Sequence, residues 1–200
     1  MKVLVACEFS GCVREAFKAK GHDAWSCDIL PTDIEGQHIQ GDVLELLGQG
    51  WDLMIAHPPC TYLSNAGARF LYPKGVLNEE RLKLGMIAKE FFNKLLNAPI
   101  EKIAIENPVQ SRVFDIRMYD QIIEPYQFGH PFKKKTCLWL KNLPQLKHTN
   151  VLEKPQSTKI AGNWFNKGGK DRQKNRAKTF KGIADAMAEQ WGGGDIKCPT

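Results

Sequence analysis

Two stretches of the chain set a reactive side chain directly after an apolar run and directly against proline. The first is Trp51–Gly67, WDLMIAHPPCTYLSNAG. Leu53, Met54, Ile55 and Ala56 read as a short strand buried on both faces. His57-Pro58-Pro59 stops it, because prolines cannot donate ladder hydrogen bonds and hold the backbone extended. Cys60 follows at the carboxyl end of that strand. The di-proline shelf fixes the direction of its side chain, as a nucleophile requires. Lys102–Ile105 repeats the device and ends in Glu106-Asn107-Pro108. Strand tips lying side by side bring a thiol together with a carboxyl group that can exchange a proton.

The elements that must position these groups follow an α/β pattern. Lys2–Ala6 reads as a buried strand, Glu8–Gly11 as a turn and Gly11–Lys20 as a helix closed by Gly21. Asp23–Cys27 is a second strand, ending at Asp28. A strand–helix–strand unit with an acid at its second tip is the place where doubly wound folds hold ribose hydroxyls. A short third strand within Ile34–Gln40 leads to Gly41-Asp42 and a helix from Val43. Thr61–Leu77 reads as a long loop, and Asn78 as the cap of a helix to about Asn97. Gln121–Tyr126 and Thr136–Leu140 form an antiparallel pair, by their short separation. Leu143–Gly169 is irregular, Ala177–Gln190 is helical, and Gly192–Thr200 is a frayed tail. The pattern predicts one domain over residues 1–200, α/β, with a doubly wound, Rossmann-like, mostly parallel sheet and an antiparallel last strand.

Composition narrows the function. No apolar run approaches the roughly 20 residues of a membrane span, and the start of the chain enters a strand without a signal-peptide layout. A cytoplasmic protein is expected. Cys7, Cys12, Cys27, Cys60, Cys137 and Cys198 have no paired short spacing, so free thiols and no metal are expected. The net charge of +6 is concentrated late in the chain. Lys133 to Lys181 is strongly basic, opposed only by Glu153 and Asp171. Such asymmetry points to a polyanionic partner, most simply nucleic acid.

With these residues in place, the chain resembles the DNA (cytosine-5) methyltransferases, and in particular their short, phage-encoded members. The likeness covers about the first 140 residues in motif order, with a helix near the end. Pro58-Pro59-Cys60 with Leu63-Ser64-Asn65-Ala66-Gly67 is similar to the family's Pro-Pro-Cys-Gln-x-Phe-Ser-x-Ala-Gly, Thr61 replacing Gln. Glu106-Asn107-Pro108 is similar to Glu-Asn-Val. Gly129-His130-Pro131 is similar to the family's Gly-x-Pro, but Lys133, Lys134, Lys135 and Thr136 stand where Gln-x-Arg-x-Arg is expected. Only Lys141 to about Arg176, basic and partly irregular, is available for target recognition.

The resemblance implies an S-adenosylmethionine-dependent methyltransferase fold, located in the host cytoplasm if phage-encoded. It implies Cys60 and Glu106 as catalytic residues, and Phe9, Ser10, Gly11, Asp28, Asp42 and Pro58 as cofactor contacts. The methionine carboxylate is expected at the Ser10–Gly11 turn, at a helix N-terminus. DNA is the implied partner, as a duplex with a flipped base or as a single strand. Its contacts are expected at Asn65, Lys133, Lys134, Lys135, Arg172 and Arg176. Asn163-Trp164-Phe165 offers a further stacking surface. Thiol addition at carbon 6 makes carbon 5 of cytosine nucleophilic, and Glu106 must be protonated, or share a proton, to stabilise the charge reaching ring nitrogen 3. Two alternatives stay open. One is methylation of an unpaired pyrimidine, in a single strand or a nucleotide. The other is a methyltransferase-fold module that only binds nucleic acid or a partner. Methylation of an exocyclic amine fits less well, because those families carry an aromatic residue after the two prolines.

Overall fold

The apolar runs assemble into one sheet with both faces covered. In the computed structural model, which describes residues 1–157 and 172–193, the strands are β1 (Lys2–Ala6), β2 (Asp23–Asp28), β3 (His38–Gln40), β4 (Leu53–Ala56), β5 (Lys102–Asn107), β6 (Gln121–Ile123), β7 (Phe132–Lys133), β8 (Thr136–Lys141) and β9 (Gln156–Ser157). The helices are α1 (Cys12–Ala19), α2 (Asn65–Ala68), α3 (Glu79–Leu96), α4 (Arg172–Ala177) and α5 (Lys181–Trp191). The main sheet runs β3-β2-β1-β4-β5-β8-β6. All pairs from β3 to β5 are parallel, and β8 runs antiparallel to β5 and β6. This is a doubly wound, Rossmann-like α/β fold, mostly parallel with the antiparallel strand near one edge.

Strict alternation explains why β1 and β4 read as unbroken apolar runs. Val3, Val5, Leu53 and Ile55 face a core shared with α1 and α5, through Val13, Phe17, Ile183, Met187 and Trp191. Leu4, Ala6, Met54 and Ala56 face the other core, with Phe92 and Leu95 of α3, Trp51 and Trp139. Each fully buried side chain of this size contributes about 1.5–3 kcal/mol. The last described helix thus returns to pack on the first.

The order reverses between β1 and β4: β2 and β3 extend one way, β5, β8 and β6 the other. The crevice outside the carboxyl ends at such a switch point is where open α/β sheets bind ligands. Cys7 and His57 leave the sheet there, side by side, with the His57 amide donating to the Ala6 carbonyl at 2.9 Å.

Several local expectations need correction. Thr61–Leu77 is not one loop: it contains α2 and a tight turn at Pro73–Gly75. Ser64 caps α2 by accepting from the Gly67 amide, and a four-residue helix is too short to show periodicity. Val43–Leu46 is a single tight 3-10 turn capped by Asp42. The strand expected to reach Tyr126 stops at Ile123, because Pro125 opens another tight turn. The expected helix from Ala177 breaks at residues 178–180 and restarts at Lys181. The lysine-rich connector pairs in part with β9. Trp164, Phe165 and Cys198 lie outside the described residues.

Candidate active site

The register of β4 on β5 decides where the reactive groups meet. Ala56 pairs with Ile105, so the next residues, His57 and Glu106, sit side by side at the carboxyl edge. His57 Nδ1 lies 3.1 Å from Glu106 Oε2. Pro58 is buried, Pro59 is exposed and Cys60 is half-buried, so the di-proline shelf carries the thiol from the interior to the rim of the cleft. Asn107, buried, donates from Nδ2 to the Pro58 carbonyl at 2.8 Å. That bond joins the two strand tips. Beyond them the loops pair again: Ser111 donates to the Leu63 carbonyl at 2.7 Å, and Asn65 to the Val109 carbonyl at 3.0 Å. Gly67 is required where α2 passes this loop, since a Cβ there would lie 2.2 Å from the Thr61 carbonyl oxygen.

The electrostatics of the pair follow from burial and neighbours. Burial pushes the Glu106 carboxyl up, but the His57 ring, Lys134 and the Thr136 hydroxyl outweigh it and hold it below the usual carboxylate range. These neighbours favour the carboxylate form of Glu106, which faces His57 Nδ1 at hydrogen-bond distance. The proton that Glu106 must share with a base is not already on it. Burial pushes the Cys60 thiol up, and the Glu106 charge adds to this. The resting nucleophile is a thiol.

Among the described residues, the buried side-chain polar atoms without a hydrogen-bond partner are His57 Nε2, Asn107 Oδ1 and both amide atoms of Gln110. Each such group costs about 1–3 kcal/mol unless something pairs with it. All lie on the tips of β4 and β5 or the loop after them, so the orphaned groups cluster where the chemistry-bearing side chains converge.

Two of the expected cofactor residues, Phe9 and Ser10, line a small cavity beside His57. Phe9 and Ser10 are buried and, with Cys7, Glu8, His57, Ala177 and Thr179, line a cavity of about 40 Å³. Gly11 has φ +70°, and a Cβ there would meet the Arg14 guanidinium at 2.8 Å. Two amides of the first turn of α1, next to the Ser10–Gly11 turn where the methionine carboxylate is expected, are taken by Glu8. Its carboxylate accepts from the Val13 amide at 2.7 Å and the Arg14 amide at 3.2 Å. Asp28 ends β2 and accepts from the Leu30 amide, while Asp42 caps the turn after β3 through the Leu44 amide. Both acids thus stand at the carboxyl edge, and Ile29 beside Asp28 is 76% exposed. An acid next to an exposed aliphatic side chain suits a nucleoside, with its hydroxyls on the one and its base on the other.

The expected nucleic-acid residues divide. Lys134 is half-buried and faces the site: it acts on both Glu106 and Cys60, and its Nζ donates to the Arg176 carbonyl at 3.0 Å. Lys133, at the end of β7, and Lys135, in the connection to β8, are exposed. Asn65 is exposed at the start of α2, and Arg176 is exposed near enough to act on Cys60. The Arg172 side chain lies outside the described part of the chain. Sequence reasoning missed Lys174 and Lys178 as tethers. Lys174 Nζ is 2.5 Å and Lys178 Nζ 2.7 Å from the Asp33 carboxylate, and Lys174 also lies 5.2 Å from the Phe9 ring centroid. The α4–α5 segment is thereby strapped across the crevice. No group of three or more potential metal ligands exists among the described residues, and none of the described helices is long and apolar enough to cross a membrane.

No family model matches the sequence, and no curated protein does. Among solved structures, the chain is similar to the crystal structure of a proposed DNA modification methyltransferase encoded within a prophage of E. coli, at 16% identity and a TM-score of 0.48. The match covers 84% of this chain and 55% of that one, so this chain spans about half the length of that protein.

Proposed function

We propose that this chain is an S-adenosylmethionine-dependent methyltransferase acting on carbon 5 of cytosine in DNA through a covalent adduct with Cys60. The observation that carries this reading is the pair of proline-stopped tips, Cys60 on one and Glu106 on the other, joined by the Asn107–Pro58 bond. Cys60 Sγ adds to carbon 6 as its proton leaves, and Glu106 delivers a proton to ring nitrogen 3. When bound, S-adenosylmethionine supplies the electrophilic methyl group for carbon 5. Loss of the carbon 5 proton then expels Cys60, and nitrogen 3 returns its proton. In this reading Phe9, Ser10, Gly11 and Pro58 contact the cofactor, with Asp28 and Asp42 for the nucleoside hydroxyls and base. In this reading Lys134 and Arg176, which act on Cys60, meet phosphate, and Lys133, Lys135, Arg172 and Asn65 are the further nucleic-acid candidates.

A second reading keeps the chemistry and takes an unpaired pyrimidine. The short span from Asn142 to Phe180, all that separates β8 from α5, favours it, since it leaves little chain to grip a duplex. Transfer of a labelled methyl group to duplex DNA, single-stranded DNA and free nucleotide, with hydrolysis and separation of the bases, tests both. Label in 5-methylcytosine supports the first reading when the duplex is preferred and the second when it is not. Label on an exocyclic amine defeats both. No transfer to any substrate, with DNA still bound and no calorimetric heat from the cofactor, makes the chain a binding module.

A further inference from the structure

His57 lies outside the motif residues, yet its side chain is held on several sides in the crevice. Its side chain is 8% exposed and that of Glu106 is 17% exposed. Its amide is held by β1. One ring nitrogen meets Glu106 at 3.1 Å, and the other is buried without a partner. The ring also lines the cavity formed with Phe9 and Ser10. A ring wedged after β4 and before two prolines has little freedom to turn, so the carboxylate it binds is held in one rotamer. From the proposed methyltransferase chemistry, on which this inference rests, we propose that His57 is the positioning residue of Glu106 and the store of the proton that Glu106 passes to the pyrimidine ring.

The step balances. In the proposed cycle the ring holds a second proton on Nε2, the atom left without a partner, and releases its Nδ1 proton to Glu106 Oε2, leaving a neutral ring. Glu106 gives one proton to ring nitrogen 3 as the Cys60–carbon 6 bond forms, and the thiol proton leaves for solvent. On elimination the proton returns from nitrogen 3 to Glu106 and from there to Nδ1. The expelled Cys60 thiolate takes a proton back from solvent, so the dyad and the thiol end unchanged and the net proton released is that of carbon 5. Other charged or titratable groups around the ring are Glu8 and Cys7 after β1, Cys60 on the shelf, and Lys134, which acts on Glu106 from the β7–β8 side.

Two measurements test the proposal on the full chain. In proton NMR, the imidazole Nδ1–H should give a downfield resonance protected from exchange, assigned by its absence in His57→Asn and lost in Glu106→Ala. A resonance unchanged in Glu106→Ala, or absent from the native protein, overturns the dyad whether or not the protein methylates anything. The second measurement is the rate of covalent trapping on DNA carrying 5-fluorocytosine. His57→Asn keeps a donor near the Nδ1 position but cannot store the proton. It should slow trapping about tenfold with the apparent affinity for DNA and cofactor unchanged, and His57→Phe about a hundredfold. Equal trapping rates in native protein and both variants overturn the proton store. A change in DNA or cofactor affinity alone, with the rate unchanged, overturns it also. If His57→Phe fails to fold, His57→Asn decides. If the native protein traps no substrate while the Nδ1–H resonance behaves as stated, the methyltransferase reading is what fails and the dyad stands.

Discussion

Replacing Asn107 should loosen the joint between the two reactive strand tips by an amount the structure allows one to bracket. The Asn107 side chain is buried and donates at 2.8 Å to the carbonyl of buried Pro58. Asn107→Ala removes a bond worth about 1 kcal/mol net and leaves the Pro58 carbonyl unpaired, at about 1–3 kcal/mol. The same substitution removes Asn107 Oδ1, itself a buried atom without a partner, which returns part of that cost. The expected loss is about 1–2 kcal/mol. Asn107→Asp should cost more, about 3 kcal/mol, because it sets a carboxyl oxygen against a carbonyl oxygen and adds a second buried acid beside Glu106. Urea unfolding followed by tryptophan fluorescence reads the difference, since Trp51, Trp139 and Trp191 are all buried. With a slope of roughly 2 kcal/mol/M, Asn107→Ala should lower the midpoint by about 0.5–1 M. Cys60 should also be alkylated faster in the same variant, as its shelf loses its tie. An unchanged midpoint in Asn107→Ala, or an Asn107→Asp protein as stable as the native one, refutes the claim that this bond joins the tips.

The Cys60 thiol, pushed up by burial and then by the Glu106 charge, should react slowly with iodoacetamide at pH 7 and faster as pH rises. Glu106→Gln should accelerate the reaction at fixed pH, and a rate equal to that of the native protein would disprove the coupling. Asp33 is held below its usual range first by hydrogen bonds from Lys174 and Lys178. Its folded value is depressed, so the strap contact is fully present above the ordinary aspartate range of about 4 and is lost as pH falls through the lower folded value. The partners are partly exposed and worth at most about 1 kcal/mol together. Asp33→Asn should therefore raise tryptic cleavage within residues 172–180 by up to about fivefold at neutral pH, and no change would mean that the strap is held elsewhere.

Much of the fold was legible because its signals are local. The runs Val3–Ala6 and Leu53–Ala56 announced strands buried on both faces, and Asn78 announced the start of α3 by accepting, as a cap should, from the Arg81 amide. Cys60 and Glu106 could be set on adjacent tips because the prolines mark where each strand ends. What stayed hidden depends on contacts between distant residues. His57 read only as part of the strand stop, and its partner is 49 positions away. Glu8 sits in a turn where nothing local says that its carboxylate will fill the amides of α1. Arg14 occupies a polar position of the helical pattern yet is fully buried, bonding Ser26, Thr32 and the Ile34 carbonyl. Lys174 and Lys178 read as part of a phosphate-binding run, because a charge count cannot reveal that Asp33, far earlier in the chain, answers them. Among the expected cofactor residues, the acids fell at the carboxyl edge because strand ends are easy to find. The first turn of α1 was not read as capped from within by Glu8.

The most direct test of the central claim is covalent trapping at Cys60. DNA carrying fluorine at carbon 5 of cytosine, incubated with the protein and S-adenosylmethionine, should give an adduct that survives denaturing electrophoresis. The methyl group transfers, but fluorine cannot leave as the proton does, so elimination stops. Cys60→Ser should abolish the adduct, since a hydroxyl is a far weaker nucleophile without an adjacent base. Replacing Cys7, Cys12, Cys27, Cys137 or Cys198 singly should not. Glu106→Gln should slow its formation by about 10²-fold or more with the fold intact. An adduct that persists in Cys60→Ser, or normal methylation by that variant, would contradict the account.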